Sequence, residues 1–157
     1  MKKIIFAGGC FWGVEAYFMN IKGVISTEVG YANGNRENPT YDLVCTGISE
    51  FAEACVVEYD ENIIKLEELL EKFFNIINPF LLNRQAGDIG TQYRTGIYYK
   101  DKMDFYIIEQ FIKTKSKEFE DDIVTEVKVL DNYYKAEEYH QKYLVKNPNG
   151  YCHIKLD

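Results

Sequence analysis

Apolar residues recur along the chain with two spacings, one typical of strands and one typical of helices. Short continuous or alternating apolar runs predict strands, and they lie over residues 4–7, 24–29, 55–59, 97–99 and 125–130. Apolar residues spaced by one helical turn predict helices, over residues 14–20, 65–77, 103–119 and, in a more polar pattern, 135–145. Strands interspersed with helices indicate an α+β fold in which helices cover a mixed sheet.

Three segments follow neither spacing. Residues 31–40 form a polar loop, residues 78–94 a long connection rich in Asn, Gln, Gly and Asp, and residues 146–157 an irregular tail with turn residues. A connection as long as 78–94 is uncommon in a compact domain and is usually functional. No repeat or linker interrupts the chain, so we expect a single domain over residues 1–157.

Composition narrows the class of protein. Of the 157 residues, 46% are hydrophobic and 27% are charged, as in soluble globular proteins. The formal net charge of −7 argues against a general nucleic-acid binder, which would carry a basic surface. The apolar run at 4–7 is too short for a signal peptide, and no run approaches the ~20 apolar residues of a membrane span. We therefore expect a cytoplasmic monomer that binds neither nucleic acid nor membrane.

The four cysteines are Cys10, Cys45, Cys55 and Cys152. Their spacing matches no zinc motif, so we expect no metal site. A static disulfide framework is uncommon in a reducing compartment. The cysteines are therefore expected to fill the core or to carry redox chemistry.

Cys10 lies in the stretch Gly8-Gly9-Cys10-Phe11-Trp12-Gly13, between a predicted strand and a predicted helix. Glycines permit the sharp turn that this connection needs. The positive end of the helix dipole favours a thiolate, so we expect a lowered pKa for the Cys10 thiol. The alternative is a buried structural cysteine beside core aromatics. These local features alone do not separate the two.

The stretch Gly9-Cys10-Phe11-Trp12-Gly13 resembles the active-site signature of the A-type peptide methionine sulfoxide reductases. Further matches cover nearly the whole chain; they are Gly30-Tyr31, Asn38-Pro39-Thr40-Tyr41, Ala52-Glu53, Tyr59-Asp60, Arg84-Gln85, Asp88, Gly90-Thr91-Gln92-Tyr93-Arg94, His140-Gln141, Lys146-Asn147-Pro148 and Gly150-Tyr151-Cys152. Phe51 stands where the family usually has His, and Asn78 where Asp is usual. We expect these departures to alter packing rather than activity.

The resemblance implies a two-layer α/β sandwich with a ferredoxin-like core and a long irregular C-terminal segment. It also implies a thiol-dependent oxidoreductase that reduces methionine S-sulfoxide, free or in proteins, and so repairs oxidative damage. The preference for the S-epimer comes from the family alone. Thioredoxin would recycle the enzyme, with dithiothreitol as a substitute, and no cofactor would be needed.

Sulfoxide reduction requires a thiol nucleophile, an acid for the departing oxygen, hydrogen-bond donors and an apolar pocket for the methyl group. Cys10 is the expected nucleophile. The family match selects Glu53 as the acid, and burial beside an apolar strand would raise the pKa of its carboxyl. The other expected roles are donors at Tyr41 and Tyr93, a methyl pocket at Phe11 and Trp12, and contact with water or the substrate backbone at Asp88.

Cys152 is the expected resolving cysteine. Oxygen transfer would leave a sulfenic acid on Cys10, which condenses readily with a second thiol, and the turn-rich tail that carries Cys152 could move. The family places its resolving thiol here. We interpret Cys55 as structural and Cys45 as structural or as a substitute partner for Cys10.

Two other classes of function remain open at this stage. One is a different thiol enzyme, either a peroxidase or an acyl-transfer enzyme that pairs Cys10 with His140 or His153. The other is an inactive, aromatic-rich binding domain.

Overall fold

The computed structural model describes residues 1–156 of the chain. Its strands are β1 (Lys2–Ala7), β2 (Val24–Ala32), β3 (Ala52–Tyr59), β4 (Arg84–Gln85), β5 (Asp88–Ile89), β6 (Gly96–Tyr99), β7 (Glu126–Val129) and β8 (Tyr133–Lys135). Its α-helices are α1 (Phe11–Phe18), α2 (Tyr41–Cys45), α3 (Leu66–Phe74), α4 (Lys102–Ser116) and α5 (Tyr143–Lys146). Short 3-10 helices span Thr91–Tyr93 and Glu138–His140.

Within the described residues, six strands form one mixed sheet in the order β7-β6-β1-β3-β2-β8. The strands pair antiparallel, except that β6 and β7 run parallel. β1 and β3 lie at the centre, and Phe6 of β1 is opposite Cys55 of β3. β4 and β5 form a separate small hairpin. The central strands thus carry the chain directly to the turn at Cys10.

The two faces of the sheet have different cores because successive side chains of a strand point to opposite faces. On β1, Ile4 and Phe6 join the main core together with residues of α1, α3 and α4. The Phe6 ring stacks on Phe18 of α1 at 4.8 Å and on Phe73 of α3 at 4.5 Å. Ile5 and its neighbours form a smaller cluster on the other face. This arrangement of sheet and helices confirms the predicted α+β sandwich.

The predicted helix over 135–145 is wrong. Lys135 ends β8 and pairs with Gly30 of β2, and only a 3-10 turn and the short helix α5 follow. The Gln141 side chain explains the break. Its amide accepts from the Val29 N–H at 2.9 Å and donates to the Val29 carbonyl at 2.9 Å, so it pairs with the sheet edge where a strand would. Contacts distant in sequence therefore override the local pattern.

Other boundaries also shift. α1 begins at Phe11, three residues earlier than the predicted 14, and β3 begins at Ala52 rather than 55. The unpredicted helix α2 begins within a polar stretch, where the Thr40 hydroxyl caps it by accepting from the Leu43 N–H at 3.2 Å. In the part of the chain that the structure describes, no helix has the length and apolar character needed to cross a membrane.

The two departures from the family pattern are accommodated by packing. Phe51 is buried and meets the ring of Tyr134 edge to face at 5.9 Å. Its ring occupies the space beside Gly34, where a Cβ atom would lie 2.2 Å from it. Asn78 keeps a turn closed, since its side-chain oxygen accepts from the Phe80 N–H at 3.1 Å. An aspartate at 78 would accept the same bond.

Candidate active site

Cys10 occupies the N-cap of α1, directly after the turn that leaves β1. The turn requires glycine at position 9, where φ is +82° and a Cβ atom would lie 2.7 Å from His153 Nε2. Cys10 is 8% exposed, so its sulfur lies just below the surface. Strand, turn and helix thus place this thiol as the sequence predicts.

The prediction of a lowered pKa for Cys10 is wrong. Burial raises the pKa of the thiol, and the nearby Glu53 carboxylate raises it further. The backbone N–H of Trp12 acts in the opposite direction but does not outweigh them. A helix terminus favours a thiolate by a modest amount, whereas desolvation of a buried charge costs more. The resting nucleophile is therefore a protonated thiol.

Glu53 lies on β3 opposite Tyr31 of β2, and it points to the face of the sheet that α1 covers. Its Oε1 accepts a 3.2 Å bond from the Phe11 N–H at the start of α1. Its Oε2 is buried and has no hydrogen-bond partner among the residues described. Burial, with the charge of Asp88, raises the pKa of Glu53 to about 8 against the opposing Phe11 bond. The carboxyl is thus mostly neutral at pH 7, in agreement with the prediction of a buried acid.

Tyr41 and Tyr93 converge on Glu53 from two separate segments. Tyr41 begins α2, and its N–H donates to Glu137 Oε2 at 2.9 Å. Glu137 Oε1 accepts from the Tyr31 hydroxyl at 2.7 Å, which ties α2 to the sheet. Burial, then the charge of Glu53, raises the pKa of Tyr93, and burial likewise raises that of Tyr41. Both phenols therefore remain protonated hydrogen-bond donors.

Phe11 and Trp12 form an aromatic wall that residues near the C-terminus support. Trp12 stacks on Tyr143 of α5 with ring centroids 3.7 Å apart. Its indole N–H donates to His140 Nδ1 at 2.9 Å. The His140 ring lies 5.1 Å from Phe11 and 4.5 Å from Tyr41, so one imidazole holds both predicted subsites together. The His140-Gln141 pair matches the family pattern, and this match is the sequence signal that could identify His140 as a site residue. Its contacts could not be predicted, because its partners are distant in sequence.

This arrangement speaks against an acyl-transfer enzyme that uses histidine as a base. The Nδ1 lone pair of His140 is occupied by Trp12. His153 Nε2 lies 2.8 Å from the Gly8 carbonyl oxygen, so this nitrogen carries the hydrogen. Neither contact leads to Cys10, and burial lowers the pKa of both imidazoles. Both rings are placed as structural supports.

The C-terminal segment packs over the turn, although its turn residues suggested mobility. Ile154 is buried, and the Cys152 thiol donates to its carbonyl oxygen at 3.1 Å. Cys152 Sγ lies 3.0 Å from the position of a Cβ atom on Gly13 of α1. The resolving candidate is therefore docked beside the helix that begins with the nucleophile. Asp88, on the β4–β5 hairpin, acts electrostatically on both Cys10 and Glu53.

The remaining two cysteines differ in environment, and all four are free thiols. Cys55 is fully buried in β3, as expected for a structural residue. Cys45 is exposed at the end of α2, where its thiol interacts with the Tyr41 phenol. Cys45 thus borders the site without lining its centre.

Two grooves lie away from Cys10, between α3 and α4 and on the face of the sheet that the helices leave open. They contain none of the predicted site residues, so chemistry rather than cavity size identifies the site. Among residues 1–156, no cluster of three or more His, Cys, Asp or Glu side chains is arranged to hold a metal ion.

Comparison with known proteins agrees with this site. The sequence model of the family described as peptide methionine sulfoxide reductase matches residues 2–157. Peptide methionine sulfoxide reductase MsrA from Clostridium perfringens (strain 13 / Type A) is 65% identical over 157 residues, which is 100% of both chains.

Solved structures agree as well. Mxr1 from Saccharomyces cerevisiae in its reduced form superposes with a TM-score of 0.92 at 38% identity, covering 99% of this chain and 91% of that one. Mxr1 in complex with Trx2 superposes with a TM-score of 0.65 at 25% identity, covering 90% and 84%. The chain belongs to the peptide methionine sulfoxide reductase family, and the MsrA relatives place it in the A type.

Proposed function

We propose that this enzyme reduces methionine S-sulfoxide, free or in proteins, with Cys10 as nucleophile and Glu53 as proton carrier. The observation that carries the assignment is the neutral, buried Glu53, whose pKa of about 8 leaves it a proton to give at pH 7. Its Oε2 is free of other bonds. Tyr41 and Tyr93 donate hydrogen bonds to the sulfoxide oxygen, and Phe11 with Trp12 receives the methyl group.

In the first step, the Cys10 sulfur attacks the electrophilic sulfoxide sulfur while Glu53 protonates the oxygen. Glu53 takes a proton from the Cys10 thiol as the new S–S bond forms, so the carboxyl ends unchanged. The hydroxyl then moves from the substrate sulfur to the Cys10 sulfur as that S–S bond breaks, so that Cys10 becomes a sulfenic acid and the substrate leaves as methionine. Because the pKa of Cys10 is raised, the thiolate forms only as the thiol proton passes to Glu53. In the absence of substrate, Cys10 is therefore a less reactive thiol.

In the second step, the Cys152 thiol attacks the Cys10 sulfur. A disulfide forms, and the hydroxyl leaves with the thiol proton as water. Thioredoxin is the proposed reductant of this disulfide, since the yeast relative Mxr1 forms a complex with Trx2, a thioredoxin. Dithiothreitol replaces it in vitro. Asp88 is proposed to act near the substrate, and no metal or organic cofactor takes part.

The setting of the reaction also belongs to this proposal. We place the enzyme in the cytoplasm, because four free cysteine thiols suit a reducing compartment. Residues 1–157 would act as one domain and as a monomer, which size-exclusion chromatography with light scattering tests.

Counting thiols tests the proposed chemistry directly. Reduced enzyme is given an excess of methionine S-sulfoxide without a reductant, and free thiols and methionine are measured together. The proposal predicts one methionine formed and two thiols lost per enzyme. Cys152→Ser should form one methionine and lose one thiol, and Cys10→Ser should do neither. Methionine formed by Cys10→Ser would refute the assignment.

A further inference from the structure

His153 fills a space that glycines leave on both sides of the nucleophile. Its side chain is 2% exposed. A Cβ atom on Gly9 would lie 2.7 Å from Nε2, and one on Gly13 would lie 3.4 Å from Nδ1. With Nε2–H donating to the Gly8 carbonyl at 2.8 Å, the imidazole is wedged into the turn that presents Cys10.

The other nitrogen of this ring faces a carboxylate. His153 Nδ1 lies 3.8 Å from Asp88 Oδ2, and both atoms are buried without a hydrogen-bond partner among the residues described. Since Nε2 carries the ring hydrogen, Nδ1 presents a lone pair toward an acceptor. Because two facing acceptors repel each other, the directional contact that holds the ring is the Nε2–H bond to the Gly8 carbonyl.

Tyr151, two residues earlier, reaches the same carboxylate. Burial and its interaction with Asp88 together raise the pKa of the Tyr151 phenol to about 12. Tyr151 and His153, the residues immediately before and after Cys152, therefore both lie near Asp88. The next residue, Ile154, is buried and packs against Gly13 of α1, where an added Cβ atom would lie 3.3 Å from its side chain.

We propose that Tyr151 and His153 are positioning residues that clasp Asp88 and the Gly8 carbonyl, and so hold Cys152 beside the nucleophile. We call this set, Gly8, Asp88, Tyr151 and His153, the clasp. The inference rests on the proposed resolving role of Cys152. A thiol held near its target reacts faster than one on a free tail, because the search is already restricted. The clasp should thus accelerate disulfide closure and leave oxygen transfer unchanged.

Separating the two steps in time tests the clasp. Reduced enzyme is mixed with one equivalent of methionine S-sulfoxide, quenched at intervals and alkylated, and methionine and the Cys10–Cys152 disulfide are quantified by mass spectrometry. In His153→Ala we expect methionine to form within about twofold of the wild-type rate and the disulfide about tenfold more slowly, as for one lost hydrogen bond. Tyr151→Phe should slow closure by about threefold.

Two variants distinguish positioning from packing. The side-chain amide of His153→Gln can still donate to the Gly8 carbonyl, so closure should recover most of the loss seen in His153→Ala. Tyr106→Phe, at a position 61% exposed on α4, is the matched control and should close like wild type. Before any sulfoxide is added, Cys152 should be alkylated faster in His153→Ala than in the wild type.

Closure at the wild-type rate in both Tyr151→Phe and His153→Ala would overturn the clasp, and so would closure in His153→Gln that is as slow as in His153→Ala. So would a loss of methionine formation equal to the loss of closure, since the residues would then serve the first step. If His153→Ala does not fold, Tyr151→Phe decides, and closure at the wild-type rate in that variant would overturn the clasp. A wild-type enzyme that forms methionine but never the Cys10–Cys152 disulfide would instead refute the role of Cys152, and the clasp with it.

Discussion

The two halves of the site are held in different ways. Cys10 and Glu53 lie on a helix terminus and a central strand, and the Phe11 N–H joins them at 3.2 Å. Cys152 and Asp88 lie on an irregular tail and a small hairpin, which contact the turn through side chains. The first half lies on the central sheet and the helix that follows it, whereas the second half has only the two-stranded β4–β5 hairpin and an irregular tail behind it. A rigid half suits oxygen transfer, which needs fixed geometry, and a half outside the main sheet suits a disulfide that thioredoxin must reach.

The nucleophile gives the largest expected effect and tests the rigid half. Cys10→Ser should abolish methionine formation with either dithiothreitol or thioredoxin, because no other thiol lies at the end of β1. Cys45→Ser, at an exposed position, is the matched control and should retain activity. Activity above background in Cys10→Ser would mean that another thiol is the nucleophile.

Removing the resolving thiol should separate the halves almost completely. Cys152→Ser should complete one round and then stall with thioredoxin, since exchange requires an accessible disulfide. With dithiothreitol, which reduces the sulfenic acid directly, the same variant should keep much of its turnover. The two steady-state rates, measured side by side, check this. Normal turnover of Cys152→Ser with thioredoxin would mean that Cys45 is the resolving cysteine.

The proton carrier comes next in size. Glu53→Gln should slow single-turnover methionine formation at pH 7 by roughly 10²–10⁴-fold, since an amide cannot relay the proton. Glu58→Gln, on the same strand, is a suitable control because its side chain is only partly buried. Rapid-quench measurement gives the rate. An unchanged rate in Glu53→Gln would remove this residue from the chemistry.

The donors should matter less when removed singly. Tyr41→Phe and Tyr93→Phe each delete one hydroxyl near Glu53, and each neutral hydrogen bond is worth about 1 kcal/mol, or several-fold in rate. The double variant should lose more than the product of the single losses, because one phenol partly substitutes for the other. A double-mutant cycle on single-turnover rates measures this coupling. Strict additivity would mean that the two phenols act separately.

The same contrast explains what the sequence could predict. The short apolar runs around Phe6 and Val57 identify the central strands, because burial there depends on local pattern. The direction of the Glu53 pKa shift was also predictable, since the residue adjoins that apolar strand. The sign of the Cys10 shift was not, because it depends on how deeply the turn is buried. Tail contacts such as His153 to Gly8 join residues too distant in sequence for any local pattern to reveal.

Protein stability provides the most independent test of the rigid half. The pKa of Glu53 is about 8 in the folded protein, against an ordinary value of 4.5. Between these values the folded state binds more protons than the unfolded state, so wild-type stability falls as pH rises, by up to about 1.4 kcal/mol per pH unit. Glu53→Gln has no such group. The melting temperature of the variant relative to wild type should therefore rise between pH 5 and pH 8 by roughly 2–4 °C for each kcal/mol. Glu120→Gln, at an exposed position, serves as the control and should show no trend. A constant difference between Glu53→Gln and wild type across this range would mean that Glu53 is ionised in the folded enzyme, and that the proton for the sulfoxide oxygen has another source.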